Sequence, residues 1–90
     1  MDKITLLSLS NDLKRIVTSI QRGSNENSQR FTQEAKHWLE ASETLKQNDY
    51  LTSLLKKIKV TLNKKDGLEK AEDCLMYSVL IQNHALFSSN

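Results

Sequence analysis

Arg30 and His37 are the two residues whose types and spacing come nearest to a reaction centre. Seven positions apart on a helix, they fall within about 20° of one another on one face. There a guanidinium can stabilise a phosphate and an imidazole can move a proton. A second candidate is the run of lysines Lys56, Lys57, Lys59, Lys64 and Lys65. Such a strip can meet phosphates or other anions, each contact making binding fall with salt. No aromatic residue or Arg is interleaved to stack on or read bases, and Asp66, Glu69, Glu72 and Asp73 follow closely. Cys74, His37 and His84 are the only soft or imidazole ligands, and no two of them lie at i, i+3 or i, i+4. Zinc needs three or four such ligands gathered, and no Glu-x-x-His pair suits a carboxylate-bridged di-iron bundle. With Gly only at positions 23 and 67, no glycine-rich phosphate loop can form. Neither a metal nor a cofactor is expected.

The elements that must position these residues are helical. Pro is absent from the 90 residues and Gly occurs twice, which leaves few of the breakers an all-β chain needs for its turns. The first helix, 2–22, carries Leu6, Leu9, Leu13, Ile16 and Ile20 at alternating spacings of three and four, a heptad seam. Asp2 is one candidate cap at its start, and Gly23 suits the left-handed residue that closes it. The second helix is expected over about 27–47, with Phe31, Ala35, Trp38, Leu39 and Leu45 on one seam and a Glu43–Lys46 pair on its surface. Asn48 and Asp49 make a tight connection in which Asp49 caps the third helix, about 50–64, whose stripe is Leu51, Leu54, Leu55, Ile58 and Leu62. Asp66-Gly67-Leu68-Glu69 fits a capping box that opens the last helix, with Asp66 as the cap.

The last helix, 68–87, organises the rest. Leu68, Ala71, Leu75, Val79 and Leu86 fall in one stripe, which reads as the core face. No formal charge occurs from Cys74 to Phe87, and Tyr77, Leu80, Ile81 and His84 lie on the opposite side. Two apolar stripes on one helix call for neighbours on two sides. The uncharged run is too short and too polar to span a bilayer, which takes about 20 apolar residues.

The Arg30–His37 spacing resembles the Arg-x4-6-His motif of HEPN-type ribonucleases, and the segment from Ala35-Lys36-His37-Trp38-Leu39-Glu40-Ala41 to Asp49-Tyr50 has a similar texture. The resemblance implies a small helical bundle that cleaves RNA, with Arg30 and His37 as its reacting pair. Here Phe31 follows the arginine where the family usually has a polar residue, and the pair sits on the second helix rather than a late one.

The expectation is therefore one all-α domain over residues 1–90, a four-helix up-down bundle; the alternative is a pair of helical hairpins completed by dimerisation. Cys74 cannot form an internal disulfide, and no charged segment leading into a continuous apolar run opens the chain, so a cytoplasmic setting is expected. A net charge of +2 does not by itself point to nucleic acid. The functional expectation is a non-enzymatic protein-interaction or regulatory module, self-associating as a homodimer through Tyr77, Leu80, Ile81 and His84. The alternatives are nucleic-acid binding through Lys56, Lys57, Lys59 and Lys64 and, more remotely, the ribonuclease.

Overall fold

Among the described residues four helices form a ring: α1 (Lys3–Gln21), α2 (Asn25–Glu43), α3 (Asp49–Leu62) and α4 (Leu68–Phe87). The structure, a computed structural model, describes residues 3–43 and 48–87. Asp2, Leu45 and the Glu43–Lys46 pair lie outside the described residues and side chains. α1 packs along α2 and α4, and α3 touches the same two helices. Each neighbour runs antiparallel to the next. Gly23, past the end of α1, and Gly67, before the start of α4, line one hollow. The rings of Tyr50, at the start of α3, and His84, near the end of α4, lie 5.9 Å apart. The molecule is an up-down bundle measuring 38 × 22 × 19 Å.

Local chemistry sets the helix ends. Gly23 adopts φ +72°, and the N–H groups of Gly23 and Ser24 donate to the carbonyls of Ile20 and Ser19. That is the Schellman closure expected of a glycine just past a helix. α3 is capped by Asn48, not by Asp49: the Asn48 side chain accepts from the Leu51 N–H at 2.8 Å, and Asp49 lies within the first turn. The capping box expected at α4 is not formed either. Gly67 supplies the first carbonyl, accepting from the Ala71 N–H, and Asp66 instead accepts from the Ser28 hydroxyl and the Lys70 ammonium. A buried lysine beside it competes successfully for that carboxylate, since an unpaired buried charge costs more than a lost cap.

The core follows the α1 seam. Leu6, Leu9, Leu13 and Ile16 are buried, as are the expected α3 positions Leu51, Leu54, Leu55, Ile58 and Leu62. Each such side chain contributes about 1.5–3 kcal/mol of hydrophobic stabilisation. α2 gives Ala35 and Leu39 to the core and packs Phe31 and Trp38 against its edge.

On α4 the structure keeps Ala71 on the core face, as expected, and turns the rest of the expected stripe outward. Ala71, Cys74, Ser78 and Ile81 point inward, while Leu68, Leu75, Val79 and Leu86 keep 75%, 51%, 46% and 43% of their surface exposed. The reason is volume. α1 fills the space between the helices with large side chains, so α4 must answer with small ones. The resulting close approach lets the Ser10 hydroxyl donate to the Ser78 backbone carbonyl at 2.8 Å.

Candidate functional site

The expected interface strip does not lie on the surface as a unit. Ile81 is fully buried in the core, and Tyr77, Leu80 and His84 are half-buried against the bundle. Ile81 is therefore a core residue, a correction that follows from the exchange of faces on α4. The apolar surface left open is the other stripe. Leu68, Leu75, Val79 and Leu86 run the length of the helix, joined on one flank by Met76 and by Phe87, which is 79% exposed.

Two heptad seams thus share α4. Residues 71, 74, 78, 81 and 85 form the inner one, at spacings of three and four. Residues 68, 72, 75, 79, 82 and 86 form the outer one at the same spacings, with Glu72 and Gln82 as its polar members. Met76 and Asn83 flank the outer seam and are exposed. Gln82 is half-buried and accepts from the Lys14 ammonium, so the open part of the seam is apolar apart from Glu72.

The lysine strip is only partly available. Lys56, Lys57, Lys59 and Lys65 are exposed. Lys64 instead donates to Asp73 and Glu69, each at 2.7 Å, and these bonds hold its pKa above the ordinary lysine value. Arg30 and His37 are both exposed, and each is engaged with a ring beside it. The Arg30 guanidinium lies 5.6 Å from the centre of the Phe31 ring, and His37 meets Trp38 edge-on at 5.4 Å. Cys74 is buried, and burial pushes its thiol up to about 11, which leaves it a small packing residue rather than a nucleophile. Among the described residues no group of His, Cys, Asp and Glu side chains is placed to hold a metal ion, and no helix is long and apolar enough to cross a membrane.

One perturbed acid lies inside the α1–α2 hairpin. Asp12 Oδ1 accepts from Arg15 at 3.4 Å, while its buried Oδ2 has no donor. Burial first, and the neighbouring Glu34 carboxylate second, raise its pKa from 3.8 to about 6, with Arg15 pulling the other way.

The signal that locates the open seam was present in the sequence. Side-chain size on α4 largely distinguishes the faces: apart from Ile81 the inner seam carries Ala, Cys and Ser, and apart from Glu72 and Gln82 the outer one carries Leu and Val. No protein-family model, curated protein or solved structure matches the chain.

Proposed function

We propose that the chain is a small non-enzymatic interaction module of adaptor or regulatory type, and that it pairs with a second copy of itself through the outer seam of α4, in a cytoplasmic setting where Cys74 stays reduced. The observation that carries this reading is the exposed heptad seam of Leu68, Leu75, Val79 and Leu86. A symmetric dimer is the commonest closed assembly, and it needs a surface that complements itself.

The seam does so when two copies of α4 run antiparallel. Leu68 then meets Leu86 of the second copy, Leu75 meets Val79, and Glu72 meets Gln82. On the exposed flank Glu69 faces Asn83, and Met76 faces Met76. Both carboxylates are opposite carboxamides that can donate to them. A parallel pair would set Glu72 against Glu72 within an apolar seam, and like charges there are costly. Charge therefore selects the antiparallel arrangement.

Cysteine pairing tests it. A Leu75→Cys chain mixed with a Val79→Cys chain should form a disulfide-linked heterodimer under mild oxidation, with little product from either chain alone. Self-linking of each variant and no mixed product would overturn the antiparallel pairing. Both positions are exposed, so neither change disturbs the core.

A further inference from the structure

All three arginines of the chain, Arg15, Arg22 and Arg30, line one groove between the end of α1 and the start of α2. Their convergence is dictated by the hairpin. Arg15 and Arg22 are seven residues apart on α1 and so share a face, and the turn closed by Gly23 folds α2 back until Arg30 stands across from them. The groove encloses about 360 Å³, the scale of a small-ligand site. No acidic residue lines it. Among the described residues Arg15 has the Asp12 ion pair at 3.4 Å, and no ion pair is described for Arg22 or Arg30.

Two further features make the groove a receptor rather than a chance cluster. Phe31 forms part of its wall, and the guanidinium groups of Arg15 and Arg30 each lie 5.6 Å from the centre of that ring. The aromatic ring holds two cations that would otherwise repel one another and wander, which lowers the entropy lost when an anion is gripped. Ser24 and Asn27 bring the first turn of the 19-residue helix α2 into the wall, and the positive end of its dipole adds to the field. The hydroxyls of Thr18 and Ser19 already donate to the carbonyls of Lys14 and Arg15. The donors that remain are the guanidinium groups, that of Arg15 shared with Asp12, the Ser24 hydroxyl and the Asn27 amide, a set matched to phosphate oxygens.

We infer that this groove binds a small molecule through a diphosphate group. Three guanidinium charges, one of them partly offset by Asp12, ask for about two to three negative charges held close together, which a diphosphate supplies and a single carboxylate does not. Phe31 already carries two guanidinium groups, so its role in the groove is to order cations. The site is separate from the α4 seam and does not depend on self-association.

Calorimetric titration of the full chain with inorganic pyrophosphate tests the inference. Saturable one-site binding is expected, weakened about tenfold or more by Arg22→Gln and by Arg30→Gln, as for loss of one charge-assisted hydrogen-bonded contact. The double variant Lys56→Gln, Lys57→Gln should leave the affinity within about twofold, because these exposed lysines lie on α3, which does not line the groove. No saturable binding at millimolar pyrophosphate, or an equal loss in the lysine variant, would overturn the site. Tighter, arginine-dependent binding of a single-stranded RNA 12-mer would overturn the ligand class in favour of a polynucleotide.

Discussion

The Ser10 hydroxyl donates to the Ser78 backbone carbonyl at 2.8 Å, a bond between two helices that demands close approach of their backbones. Ser78 is fully buried and also donates to its own helix, at the Leu75 carbonyl. Small residues at 71, 74 and 78 make room for this approach, and the larger residues of α4 are turned outward as a consequence. The open seam exists because the closed one is tight.

Ser78→Leu should therefore destabilise the fold, although it adds an apolar group to a helix. Overpacking the α1–α4 contact, which also strains the Ser10 bond to the residue 78 carbonyl, and losing the Ser78 hydroxyl's bond to Leu75 should together cost about 2–4 kcal/mol. Urea unfolding followed by helical circular dichroism would read the loss. A variant as stable as the parent would mean that the helices are not closely apposed there.

The Asp12 carboxyl predicts a pH dependence with a definite sign. Its pKa is raised to about 6 in the fold against 3.8 ordinarily. Between those values the folded chain holds more protons than the unfolded one, so this group's contribution falls as pH rises through about 4 to 6. Its penalty is fully present above that window, on the order of 2–3 kcal/mol. Asp12→Asn should raise the melting temperature at pH 7.5 and change it little at pH 4. An equal shift at both pH values would contradict the ionisation argument.

Lys70 and Asp66 are unequal partners. The lysine side chain is nearly fully buried and donates to Asp66 at 3.2 Å and to the Thr32 hydroxyl at 3.3 Å, whereas Asp66 keeps some exposure. Asp66→Ala strands a buried ammonium and should cost about 3–5 kcal/mol. Lys70→Met replaces the stem and removes the charge, so it should cost much less. Thermal unfolding of the two variants ranks them, and the reverse order would show that the lysine is not buried.

Much of this arrangement was legible in the residues. The spacing of Leu6, Leu9, Leu13 and Ile16 defines the α1 core face, the α3 stripe from Leu51 to Leu62 is buried as expected, and Gly23 ends α1. The bounds of α4 are those that its pattern implies. Of its inner face only Ala71 was legible, because periodicity weighs hydropathy while packing weighs volume. Ala71, Cys74 and Ser78 are weakly hydrophobic but fit against α1, and the more hydrophobic leucines do not. The cap at Gly67 went against expectation because Asp66 is claimed by Lys70 and by Ser28, and Lys70 in turn reaches Thr32; Ser28 and Thr32 are each 38 residues from their partners and form no local motif. The arginine groove needed only the α1 spacing of seven and the hairpin turn, both present in the sequence. It is hidden by the three arginines being scattered across two helices.

Light scattering on the purified protein at high salt decides whether the outer seam of α4 joins two copies of the chain. The expected mass is about twice 10.3 kDa for the parent chain, and Val79→Glu, which sets a charge against Leu75 of the second copy, should give a folded monomer that is helical to the same degree. A parent chain that stays monomeric at every concentration, or a Val79→Glu variant that remains dimeric, would contradict that pairing.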